Sequence, residues 1–130
     1  MNLSAEQRII RERIQLLKHY PFFGHLSLGL KLMEGSSIST MGTDGIHLIY
    51  NAVYVAQLED KILRAIIAHE VLHCALGHLW RKENRSHDRW NIAADHAVNL
   101  TLKKEGFTLP KNICCDEKYE NMSAEMIYAR

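Results

Sequence analysis

The chain has 130 residues, 47% of them hydrophobic and 24% charged, enough for one core of ordinary size and an expected single domain over residues 1–130. A formal net charge of +1 supplies no concentrated basic surface, and no apolar run reaches a membrane span, so neither nucleic acid nor a membrane is an expected partner. Eight histidines are the outlier, while the odd set of three cysteines, Cys74 with the vicinal Cys114 and Cys115, reads as reduced thiols rather than a secreted disulfide framework.

The N-terminal MNLSAEQRIIRERIQLLKHY is amphipathic and charged, unlike a signal peptide, and a cytoplasmic location is expected. It predicts a helix over 4–19, capped by Ser4 with Gln7 at the return position and stopped before Pro21. Ile9, Ile10, Ile14 and Leu17 form a stripe expected to cover a sheet, and Arg8, Arg11, Arg13 and Lys18, diluted by Glu6 and Glu12, read as a solvated face. Residues 24–50 change pattern. HLSLGLKLM, SSISTMG and GIHLIY are short and partly alternating, with a turn at Asp44-Gly45, and predict a small, mainly antiparallel sheet of about three strands. A long helix is expected over 58–82 and a second over 87–105, begun at Ser86 or Asp88 and ended at Gly106. The tail 107–130 is irregular until SAEMIYAR starts another helix. The fold class is therefore α+β, a small sheet packed on two long helices.

In AIIAHEVLHCALGH, residues 65–78, three histidines and a glutamate interrupt an apolar run. His69 and His73 are four apart on a helix, so they stack one turn apart with both imidazoles in reach of a single ion. Glu70 leaves the helix about 100° round from His69, near such an ion but outside its coordination, where a carboxylate can take a proton from water. In this HExxH pattern the histidines are ligands and Glu70 is the general base. The bland alternative is a solvated polar stripe, and two histidines bracketing a glutamate make a poor one.

A catalytic zinc needs a third protein ligand. His78 is nearest, but on a continuous helix it lies about 140° from His73 and turns away, which leaves it a capping or packing role. The metzincin spacing HExxHxxGxxH fails as well, since Gly77 falls one residue late and His78 one early. On the second helix Asn91, Asp95 and Asn99 are spaced by four, with Asp88 near the same line. Asp95 is the expected third ligand, with Asn99 and Asn91 as neighbours able to orient a ligating histidine, and His96 is the fallback ligand. Tyr50, Tyr54 and His87 are candidate donors to a transition-state oxyanion, each more simply explained as structural. Cys74 is expected to pack, and Cys114-Cys115 lacks the partner pair of a zinc finger.

HEVLHCALGH followed by RWNIAADHAVN, and preceded by GTDGIHLIYN, resembles the bacterial and phage metallopeptidase-domain family, compact zincins often found in front of a von Willebrand A-like domain. The similarity covers roughly residues 20–130. It is also similar to the gluzincin arrangement, with Asp95 standing for the usual Glu and Asn99 for the usual Asp. The resemblance implies a zincin-like fold, a Zn²⁺ cofactor, a peptide or protein substrate paired along an edge strand, and a partner or attached domain. The expected function is zinc-dependent peptide-bond hydrolysis with Glu70 as general base. The alternative is a catalytically silent, zinc-stabilised protein-binding module of the same fold, against which the retained Glu70 argues.

Overall fold

The structure is a computed structural model and describes residues 3–130. Helix α1 (Ala5–His19) begins with the expected capping box: Gln7 N–H donates to Ser4 Oγ at 3.1 Å and Ser4 N–H donates to Gln7 Oε1 at 2.9 Å. Its buried line is Ile9, Glu12 and Leu16, facing other helices, while Ile10, Ile14 and Leu17 are exposed. Of the expected stripe Ile9 is buried, while the rest of the buried line lies about 100° round from Ile10, Ile14 and Leu17 and packs mainly on α2 and α4 rather than on the sheet. The reason is electrostatic as well as apolar. Arg64 Nε donates to the buried Glu12 Oε1 at 2.9 Å, and Arg8, expected on a solvated face, instead reaches the carbonyls of Val55 and Leu58 and the carboxylate of Asp60.

The chain then turns at Tyr20 into a second helix, α2 (Pro21–Ser27), where a strand had been expected from residue 24. Proline at the first helical position is preorganised for the start, and Gly24 lets α2 cross α1 closely, since a Cβ there would lie 2.3 Å from the Leu17 Cα. The sheet follows as β1 (Lys31–Glu34), β2 (Met41–Thr43) and β3 (His47–Tyr50), in the order β1-β3-β2. It is mixed rather than mainly antiparallel: β1 runs parallel to β3, Lys31 opposite His47, and β2 runs antiparallel to β3, Met41 opposite Tyr50. The Asp44-Gly45 turn between β2 and β3 is as expected, with Asp44 Oδ1 accepting from the Ile46 and His47 amides.

A short helix α3 (Ala52–Ala56), capped by Asn51, leads into α4 (Asp60–Ala75). The predicted 58–82 helix is in fact broken. Gly77 adopts a left-handed φ of 69° and a new turn, α5 (His78–Arg81), sets off in another direction. Helix α6 (His87–Lys104) packs on α4, and Ser86 occupies its cap position without a side-chain capping bond. After a 3₁₀ turn at Glu117–Tyr119, α7 (Ala124–Tyr128) packs on α6. Leu48, Leu63, Ile67, Val71, Val98 and Leu102 fill the space between sheet, α4 and α6, while Trp90, Ala94 and Ala124 form a smaller cluster under α7. Among the described residues no helix is long and apolar enough to cross a membrane.

Candidate metal centre

Two long helices bring the polar residues together. On α4, Ala65, Ile66, Ile67, Ala68, Val71 and Leu72 are buried, which fixes the rotation of the helix and turns His69 and His73 toward α6. On α6, burial of Ala94, Val98 and Leu102 does the same for Asp95. His69 Nε2 and His73 Nε2 are 2.9 Å apart, and Asp95 Oδ1 lies 3.2 Å from the first and 2.9 Å from the second. Three lone-pair donors converge on one point. Tetrahedral ligands at bond lengths of about 2.0–2.1 Å are about 3.3 Å apart, so two imidazoles and a carboxylate at these separations suit a small divalent cation. Burial opposes the Asp95 carboxylate, but the adjoining His69 and His73 side chains outweigh it and hold its pKa below the usual carboxylate range.

The far nitrogen of each imidazole also has a partner. Asn99, 4% exposed, sets its Oδ1 2.8 Å from His69 Nδ1 and donates from Nδ2 to the Cys114 carbonyl at 2.9 Å. His73 Nδ1 lies 2.9 Å from His78 Nδ1. His78 was expected to turn away. The break at Gly77 swings it back, where it is 4% exposed, and burial with the neighbouring charges of His73 and Arg81 lowers its pKa to about 4, keeping it neutral. A glycine directly before a histidine inside an otherwise helical pattern was the available signal.

Asn91, expected beside the site, lies apart from it: its Nδ2 faces His87 Nε2 at 3.1 Å on the exposed first turn of α6. That turn is anchored by Trp90, which packs toward His78 and α7 rather than α4. The fallback ligand His96 points to the tail, its Nδ1 accepting from the Asp116 amide at 3.1 Å.

His69, Glu70, Asp95 and Asn99 open onto a cleft of about 480 Å³. Its opposite sides are Thr40 and Met41 at the start of β2, Tyr54 of α3, and the segment 109–114 of the tail. Burial pushes Glu70 up to about 7, with His69 pulling it down and Asp95 adding to the rise. Of the three donors considered, Tyr54 reaches the cleft, Tyr50 is buried in the sheet, and His87 is exposed beside Asn91. Burial, then the charge of Glu70, raises the Tyr54 pKa, so its hydroxyl keeps its proton. Cys74 packs toward β2, its Sγ 3.2 Å from Thr43 Oγ1. Neither it nor Cys115 lines the cleft, whereas Cys114 does; sequence spacing had not connected the tail with the site.

The family described as "Putative metallopeptidase domain" matches residues 4–130. Among curated proteins, one from Thermotoga maritima named only "Uncharacterized protein" is 25% identical over 123 residues, covering 88% of this chain and 31% of its own length. The chain thus spans about a third of that relative. No solved structure gives a significant match.

Proposed function

Because this chain belongs to that family of metallopeptidase domains, we propose that it is a zinc-dependent peptidase of gluzincin type, with His69, His73 and Asp95 as ligands and Glu70 as general base. The observation that carries the reading is the convergence of His69 Nε2, His73 Nε2 and Asp95 Oδ1 beside Glu70 in an open cleft. Zinc bound there would supply Lewis acidity, lowering the pKa of water and polarising a carbonyl.

The protein's own groups do the rest. Glu70 takes the proton of the attacking water and returns it to the leaving nitrogen, which turns an amine anion into a neutral amine. Asn99 accepts from His69 Nδ1–H and so keeps the Nε2 lone pair facing Asp95. Tyr54 donates its hydroxyl to the oxygen anion that develops as the carbonyl is attacked. Strand β2 forms one edge of the sheet, and because the Thr40 carbonyl accepts from Asn51, the alternation of an antiparallel pair turns the Met41 N–H and C=O outward. An extended peptide or protein substrate pairs there, its scissile bond laid across Glu70. A reducing compartment such as the cytoplasm suits the three free thiols. We further propose that a partner or attached domain, of the von Willebrand A type that the family resemblance implies, sets the substrate choice.

The test is metal analysis and peptide hydrolysis of the wild type, Glu70→Gln and His69→Ala. One zinc per chain with turnover is expected of the wild type, one zinc without turnover of Glu70→Gln, and neither of His69→Ala. Hydrolysis by Glu70→Gln at the wild-type rate removes the proposed base. Zinc without turnover in the wild type on any peptide library makes the protein a binding module instead.

A further inference from the structure

Resting on the metal reading above, we propose that His78 is a positioning residue for His73, fixing the tautomer that turns the Nε2 lone pair of His73 toward Asp95 and the ion. The two Nδ1 atoms are 2.9 Å apart, a hydrogen-bond distance that requires one of them to donate and the other to accept. An imidazole that ligates through Nε2 carries its proton on Nδ1, so His73 is the donor and His78 Nδ1 the acceptor, with the proton of His78 on its own Nε2. His78 cannot take the ion itself, because its facing nitrogen lies on the side of the His73 ring opposite Nε2.

The surroundings hold His78 for this task. Gly77, at φ 69°, ends α4 and starts α5 at His78 in a new direction. The Trp90 indole N–H donates to the His78 carbonyl at 2.8 Å, and the two rings meet edge to face, 5.8 Å between centroids at 90°. With 4% exposure, a residue that only packed there would be served by any apolar ring. An apolar ring would leave the His73 Nδ1–H unpaired in a buried place, which costs a full desolvation penalty. His69 receives the same support from the Asn99 amide oxygen, so α6 governs both ligands, one through Asn99 and the other through Trp90 and His78. Both acceptors are neutral. The Asp95 carboxylate is therefore the one anion among the ligands and their direct supports, and a divalent ion keeps a net positive charge to act on a carbonyl.

The experiment uses the full chain loaded with Co²⁺, which makes the ligand ring protons visible as hyperfine-shifted NMR resonances. The wild type is expected to show two such exchangeable N–H signals, from His69 and His73, both protected from solvent exchange. His78→Phe keeps a ring against Trp90 but has no acceptor, and one signal should vanish into exchange while Co²⁺ affinity falls about 10–100-fold. His78→Asn, whose Oδ1 takes the place of Nδ1, should restore the signal and most of the affinity. Wild-type affinity and two protected signals in His78→Phe overturn the proposal, as does His78→Asn behaving like His78→Phe, or a single protected signal in the wild type, which needs no variant to fold. A Co²⁺-loaded protein with both signals but no peptide hydrolysis by the zinc form supports His78 and rejects the peptidase reading, so the two fail separately.

Discussion

Asn99 and His69 are joined through 2.8 Å between Oδ1 and Nδ1, and the other half of the same amide, Nδ2, donates to the Cys114 carbonyl at 2.9 Å. One side chain thus needs an acceptor at one end and a donor at the other. An aspartate, the residue of the gluzincin arrangement, would satisfy His69 but set an oxygen against the Cys114 carbonyl oxygen. Asparagine thus suits both partners and links His69 to the tail segment that closes the cleft.

Asn99 should accordingly separate two properties. Asn99→Asp is expected to retain zinc within about tenfold while the amides of residues 109–115 exchange faster with deuterium. Asn99→Ala should lose both, with zinc affinity down about 10–100-fold. Competition titration against a chelator and hydrogen-exchange mass spectrometry read the two effects, and unchanged exchange in Asn99→Asp would show that the Cys114 bond does not hold the cleft wall.

Gly77→Ala is expected to cost about 1–3 kcal/mol, seen as a lowered Tm, because the left-handed φ of 69° is strained for any side chain and a Cβ would meet Trp80 Nε1 at 2.8 Å. The same change straightens the path into α5 and draws His78 off His73, so metal affinity should fall with stability. Thermal unfolding of the metal-free and zinc forms checks this. A Tm equal to the wild type's would mean the break does not depend on glycine.

The Arg81–Glu125 pair ties α5 to α7, Arg81 Nε donating to Glu125 Oε2 at 2.9 Å and a second guanidinium nitrogen to Oε1. The hydrogen bond from Arg81 outweighs burial and lowers the Glu125 pKa. A carboxyl with a lower pKa folded than unfolded adds stability that is complete above the unfolded pKa and is lost as pH falls through the folded one. The Tm of the wild type should therefore drop more steeply than that of Glu125→Gln below about pH 4.3. Since the pair is partly exposed, the difference should also shrink in high salt. Parallel curves for the two proteins would show that the pair adds nothing.

What could be read from the chain depended on regularity. His69, Glu70, His73, Asp95 and Asn99 lie on two long helices, where spacing by four translates directly into a shared face, and their placement follows that spacing. The position of His78 is not legible in this way, because helical spacing holds only along an unbroken helix and Gly77 interrupts it between His73 and His78. In α1 the buried line Ile9, Glu12 and Leu16 includes a charged residue, which an apolar stripe read from spacing passes over and which Arg64 opposite Glu12 makes tolerable. HLSLGLKLM alternates like a strand over its length, yet Pro21 starts a helix that runs through its first three residues, and strand conformation begins at Lys31. The cleft wall at 109–114 has no period at all and is fixed by tertiary bonds such as Asn99 to Cys114.

The Glu12–Arg64 bond has a consequence for how this chain can change over generations. Glu12 is 1% exposed, with Arg64 at 2.9 Å from one oxygen and the half-exposed Arg11 at 3.5 Å from the other, so replacing Arg64 leaves a buried carboxylate with its weaker partner alone, at a cost of up to about 3–5 kcal/mol, a large fraction of the stability of a small domain. Two apolar residues of similar volume could replace the pair with little loss. Lineages should therefore hold both charges or neither, with few intermediates, and the two positions should drift as one.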